Sequence, residues 1–324
     1  IKDTTGKEGV SPQHKGNGIF LIGYPRGELY HRIAPEIPWY GYPAYLAAYI
    51  KGLLQSTFPE DTVGFAQALL LGDTSLIDYE TDTAFKLSGI RHIIAVSGLH
   101  VSILFALIYL MAGKNRVLTA LIGLPLLGFF AMVAGLSPSV IRACIMHGLM
   151  ILAMLWDREY DPLTALAFAA LVMLVMNPIV ITDVGFQLSF ACMLGILLYA
   201  TKIKDWLLDE DRLGCAKGKS VKEKMVRWFA GSISVSVGAI VFSTPLAALH
   251  FGTVSLVGLP ANLLTLWVVN LVFNGLVMVC ITYLLSPVAA SVLASILSWP
   301  IRYVLGTAKL LASFPLAAVY TRSR

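Results

Sequence analysis

The chain has 324 residues, is 57% apolar and only 13% charged, and has a mean hydropathy of +0.76 with a net charge of +5. Soluble domains average about 45–50% apolar and about 25% charged residues. This composition excludes an ordinary soluble enzyme, a disordered chain and a secreted disulfide scaffold. Four scattered cysteines (Cys144, Cys192, Cys215 and Cys280), with no C-x-x-C, read as small core residues. The positive balance reads first as cytoplasmic Lys and Arg of a membrane protein.

Residues 1–43 carry Gly, Pro, His and charges, and GIFLIGY reads as strand and turn material. They are expected to be the edge of an extramembrane domain. The chain opens at Ile1 without an n-region or h-region, so it reads as a piece of a longer protein with no legible signal peptide. The tyrosines and Trp39 of the first fifty residues suit an aromatic belt, or stacking platforms for single-stranded bases. Residues 44–58 read as an amphipathic helix in the membrane interface.

From residue 44 to 324 the pattern is that of an all-α polytopic membrane protein. No charged residue occurs from Trp228 to Ile301, and 25 more uncharged residues lie between Arg116 and Arg142. A helix needs about 20 apolar residues to cross a bilayer core. LVMLVM at 171–176 lacks the period-two alternation of a β-barrel strand. Val63–Leu71 is a nine-residue apolar segment ending at Gly72, a C′ glycine. Asp73-Thr74-Ser75 then turns the chain, and Ser75 with Asp78 resembles a capping pattern. Ile90–Val96 is too short to span alone. Such half-length segments are tolerated at membrane depth only when buried in protein or lining a cavity, so a helical bundle with short or re-entrant segments is expected. The longer predicted helices cover 117–135, 138–156, 162–176, 184–200, 229–249, 261–285, 287–304 and 306–320. Breaks are expected at Asn177-Pro178, Ser286-Pro287 and Trp299-Pro300. Residues 201–227 form the one large polar loop, with eight Lys/Arg against five Asp/Glu. The positive-inside rule places it, with Lys114-Asn115-Arg116, in the cytoplasm.

Few polar residues lie inside these apolar stretches. Ser97-Gly98-Leu99-His100 admits two readings: an intramembrane hydrolase, or polar glue with Gly98 allowing close helix approach. A serine three residues from its base on one helix is poorly placed for nucleophilic catalysis. Ser137 fits an N-cap, Pro138 an N1 residue, and Ser139 follows. Arg142 then lies about 6 Å into its helix, where it either snorkels to headgroups or meets an anion or carboxylate in a polar cavity. Asp183 reads as an N-cap, or, with Gln187 and Ser189, as a wet interior stripe. Gly214–Ser220 mimics a phosphate-binding loop but has three rather than four residues between its glycines, and no strand precedes it. The six histidines show no metal-ligand spacing, and no cofactor or metal is expected.

Together, ALLLGDTSLI (68–77), GIRHIIAVSGLHVSIL (89–104), GLSPSVIRA (135–143), NPIVITDVGFQLSFACMLGIL (177–197) and LVGLPANLL (256–264) resemble the ComEC family of competence DNA-uptake channels, over roughly residues 60–285. The family's first motif often reads GDRS, and Thr74 replaces its basic residue here. The resemblance implies a multi-pass channel in the bacterial cytoplasmic membrane that imports single-stranded DNA during natural transformation. It implies an OB-fold domain before the channel, of which residues 1–43 would be the edge, and a nuclease domain beyond it. Nothing in this chain resembles the nuclease, so the chain is expected not to be an enzyme. The implied partners are single-stranded DNA, membrane lipid, a DNA receptor outside and a helicase or translocase in the cytosol. A strand crossing about 30 Å of hydrocarbon carries up to about nine phosphates. A lumen lined by many lysines would trap it, because conduction requires binding weak enough to release. The expected lining is Asp73, Ser97, Gly98, His100, Ser139, Arg142, Asp183, Gln187, Ser189 and Asn262. The alternative is a transporter of another polyanionic or lipid-linked substrate.

Overall fold

The computed structural model describes residues 2–3, 21–22, 41–94, 97–208, 221–315 and 317–320. Most of the expected N-terminal domain edge and the loop-like Gly214–Ser220 lie outside the described residues. A two-residue pairing is described near the N-terminus, β1 (Lys2–Asp3) antiparallel to β2 (Leu21–Ile22). Beyond it the described residues are almost entirely helical, and among them six helices are long and apolar enough to cross a membrane. The chain divides into two compact units.

The first unit holds residues 1–53 and 98–187. Its core is α4 (Gly98–Met111), α5 (Arg116–Val133), α6 (Pro138–Leu155) and α7 (Pro162–Met176). Helix α6 is central and packs against the other three. Close approach depends on Gly123 of α5, where an added Cβ would lie 3.0 Å from Ile151 Cδ1 and 3.8 Å from Ile108 Cγ2. The starts of α5, α6 and α7 are capped from the sequence. Asn115 accepts from Val117 and Leu118, Ser137 from Val140, and Asp161 from Thr164. Pro138 and Pro162 occupy the first turn, where a missing N–H costs nothing. The Thr164 hydroxyl bond, then its backbone N–H, holds the Asp161 carboxyl below the ordinary carboxylate range. Asn177-Pro178 breaks the chain into a short 3-10 segment, Pro178–Thr182, as expected.

The second unit holds residues 54–97 and 188–324. Its spine is an antiparallel pair, α10 (Gly258–Leu285) and α11 (Pro287–Ala312), turned at the Ser286 cap. The half-length α2 (Glu60–Leu71) packs on both. Ten of its twelve residues are buried, which satisfies the condition for a short helix at membrane depth. It ends at Gly72 with φ 76°, the expected left-handed cap. Helix α3 (Tyr79–Leu87) follows, capped by Asp78, which accepts from the Thr81 N–H at 3.0 Å. Ser75 instead donates its N–H to Asp73, so the cap begins at Asp78. A short ribbon pairs β3 (Thr253–Ser255) with β4 (Ala318–Tyr320), and the Ser255 hydroxyl donates to the Leu87 carbonyl at 2.8 Å.

Three departures from the expected boundaries bear on the architecture. The segments 287–304 and 306–320 are not two helices. Helix α11 runs through Pro300 to Ala312 and is followed by β4. Proline is tolerated inside spanning helices because neighbours and local adjustment satisfy the freed carbonyl. The polar stretch 201–227 is partly helical. Helix α8 (Val184–Leu207) and helix α9 (Val221–Phe251) enter it from either side, because Lys and Glu are good helix formers once outside the apolar region. Finally, α1 (Tyr42–Thr57) begins two residues before the expected interfacial helix and exposes Tyr42, Tyr45 and Tyr49.

Candidate functional site

In the first unit the structure brings Gly98 and Arg142 together. Gly98 opens α4, and Arg142 sits one turn into α6. A Cβ on residue 98 would lie 3.1 Å from Arg142 Nη2 and 3.4 Å from Ala143 Cβ. The glycine thus leaves the space the guanidinium occupies. Arg142 is only 8% exposed, so it does not reach freely toward headgroups. Its Nη1 lies 3.8 Å from Met146 Sδ. An arginine held inside a spanning helix is costly and faces a bundle interior or a watery cavity. His100 is wholly buried on α4, and Ser139 is half-buried in the first turn of α6.

Asp183 and Gln187 organise the start of α8. Asp183 is 3% exposed, and its Oδ1 accepts the Phe186 N–H at 2.9 Å. That is an N-cap bond, and the helix dipole favours a carboxylate there. An added Cβ at Gly185 would lie 2.9 Å from the same oxygen, so the glycine leaves room for the cap. Gln187 Nε2 donates to the Ile181 carbonyl at 2.8 Å, one turn back across the 3-10 segment. Each side chain thus bonds to backbone close to the start of α8.

The other expected residues, Asp73, Ser97, Ser189 and Asn262, belong to the second unit. Asp73 accepts the Ser75 N–H at 3.0 Å and shapes the turn after α2. Ser97 and Ser189 are half-buried. Asn262 lies in the first turn of α10, is 8% exposed, and its Oδ1 accepts no hydrogen bond among the described residues.

The second unit also contains a polar arrangement that the sequence reading did not single out. Ser291, Ser295, Ser298, Arg302 and Lys309 recur on α11 at intervals of four, three, four and seven residues. That spacing places all five on one face. Arg302 Nε donates to Asp61 Oδ2 at 2.6 Å and its Nη2 to Asp61 Oδ1 at 3.2 Å. Ser298 Oγ lies 3.2 Å from Thr62 Oγ1, and Lys309 Nζ lies 3.2 Å from Glu80 Oε1. Arg302 lies about 22 Å along a helix about 39 Å long, near its middle. Splitting the helix at Pro300 concealed this face. Its signal is S-x3-S-x2-S-x3-R-x6-K, read in one phase across the proline.

Comparison with known proteins agrees with this architecture. The family model described as "Competence protein" matches residues 69–323. The chain is 30% identical over 222 residues to ComE operon protein 3 of Bacillus subtilis, covering 68% of this chain and 26% of that protein. It is 24% identical over 209 residues to Recombination protein 2 of Haemophilus influenzae, covering 61% and 26% respectively. An uncharacterized protein of Aquifex aeolicus is 34% identical over 137 residues. The chain thus spans about a quarter of the length of the first two relatives. No solved structure matches. The six long apolar helices and the family match make this a multi-pass protein of the bacterial plasma membrane. The chain belongs to the competence protein family.

Proposed function

We propose that the chain is the membrane conduit of a competence apparatus and carries one strand of DNA across the plasma membrane. The observation that supports this most directly is Arg142, held inside a spanning helix against the glycine that opens α4. A guanidinium suits a phosphate because its planar fork offers two parallel hydrogen bonds. The polar inventory of the apolar stretches is sparse: Gly98, His100, Ser139 and Gln187 in the first unit, and Asp73, Ser97, Ser189 and Asn262 in the second. Such a lining contacts a phosphate chain at few points and releases it, as conduction requires. Asp183 supports the same path by fixing the start of α8, which carries Gln187 and Ser189.

In this reading the conduit is passive. A cytosolic helicase or translocase supplies the pulling force, and a DNA receptor delivers the strand from outside. The OB-fold and nuclease belong to the rest of the longer protein, with residues 1–43 as the edge of the former. This chain carries no catalysis of its own.

The test is import of labelled single-stranded DNA by transformable cells carrying the full-length protein. Arg142→Ala is expected to abolish import with membrane expression intact. Import at the wild-type level in Arg142→Ala would sink the assignment. Small-solute flux without strand import would favour a transporter of another substrate.

A further inference from the structure

The second unit carries a charge placement of its own on α11. Helix α11 has three faces. Ala290, Ala294, Leu297, Ile301, Val304 and Ala308 are buried. Val292, Ile296, Trp299 and Leu310 are large, apolar and exposed, as lipid-facing residues are. Between these faces runs the polar row, from Ser291 through Ser295 and Arg302 to Lys309, with Ser298 on its inner edge, buried against Thr62. Its charged members are half-exposed. The Arg302 and Asp61 side chains retain 48% and 53% of their surface. A half-exposed bidentate ion pair near the middle of a spanning helix cannot face hydrocarbon at low cost, so this face meets water.

We propose that the polar row of α11 is a wall of the nucleic-acid path, on which Arg302 and Lys309 take backbone phosphates in exchange for Asp61 and Glu80. The proposal rests on the conduit reading above. Charge complementarity identifies the occupant. Two cations seven residues apart are separated by about 10.5 Å along the helix, about three phosphate steps of a stacked strand. Each cation is already paired, by Asp61 on α2 or Glu80 on α3. An arriving phosphate therefore replaces a carboxylate rather than filling a bare positive site. The exchange keeps net affinity modest, which a conduit needs. It also explains why a region otherwise without charge from Trp228 to Ile301 ends on an arginine clasped by an acid.

The exchange makes an opposite-sign prediction. The full-length protein in lipid nanodiscs is titrated with a fluorescent oligothymidylate at several salt concentrations. Asp61→Asn releases Arg302 and is expected to tighten binding several-fold at low salt. Arg302→Gln is expected to weaken binding and to lower the slope of log K against log salt by about 0.7, one phosphate contact on a single strand. If the pair only braces α2 against α11, the two variants move affinity in the same direction or not at all, which overturns the proposal. A second measurement does not depend on either charge variant folding. In a background with native cysteines replaced and import retained, Ser295→Cys should react with a membrane-impermeant thiol reagent and be protected by the oligonucleotide. Val292→Cys should not react. Equal reactivity at both positions, or no protection at 295, overturns the proposal. A wild-type protein that neither binds nor imports the strand defeats the conduit reading itself. A wild type that imports DNA while the variants fail these expectations defeats only the role of α11.

Discussion

Asp183 shows how one residue serves capping within a wider functional setting. Its carboxylate accepts the Phe186 N–H, and Gly185 leaves room for it. Asp183→Ala removes that bond and is expected to cost about 0.5–2 kcal/mol. Asp183→Asn keeps an acceptor and is expected to hold the thermal midpoint and import near the wild-type level. Loss of import in Asp183→Asn with an unchanged midpoint would instead assign the charge itself to the path. Arg142 is the contrasting case, because no capping duty accounts for a guanidinium placed one turn inside α6. At this scale the polar residues were legible, since each interrupts an apolar run. Their partners were not. Nothing in the local sequence says that Gly98 faces Arg142, because the two are 44 positions apart and meet only through the packing of α4 on α6.

Among the elements, a close helix crossing explains why small residues sit in otherwise bulky runs. Gly195 of α8 and Gly238 of α9 meet backbone to backbone in the second unit; a Cβ on Gly195 would collide with the Gly238 carbonyl, and one on Gly238 would press on the Gly195 carbonyl at 3.0 Å. Helices in lipid associate through such close packing, because lipid tails solvate apolar side chains as well as a neighbouring helix does. Gly195→Ala is expected to destabilise by about 1–3 kcal/mol, because the obstacle is backbone rather than a side chain that can rotate away. Gly231→Ala, with nothing within 4 Å, is the control and should be neutral or slightly stabilising. Thermal unfolding in detergent, followed by the loss of monodisperse protein, distinguishes the two. Element positions were legible where caps and prolines mark them, as at Ser137-Pro138 and Ser286-Pro287. They were misread at Pro300, because a proline signals a break locally and only the surrounding helices decide whether the chain continues.

Across the whole molecule, the shortage of fixed charge is itself a functional property of the proposed conduit. A phosphate chain passes a lining that offers few cations, and those on α11 are already matched by acids. Adding an unmatched cation is expected to trap the strand. Ser295→Lys should tighten oligonucleotide binding while slowing import, the two moving in opposite directions. Faster import together with tighter binding would show that capture, not release, limits transport.

Composition and charge-free runs were enough to determine a helical membrane protein, and motif order was enough to point to its family. Those properties reside in hydrophobicity and local spacing, which each segment carries by itself. The tertiary structure decided the pairings: Gly98 with Arg142, Thr62 with Ser298, and Asp61 with Arg302 across 241 positions. A charge in a spanning helix announces that it needs a partner or water. Which partner it receives depends on how far a half-length helix such as α2 is drawn into the bundle, and burial against α10 and α11 sets that depth.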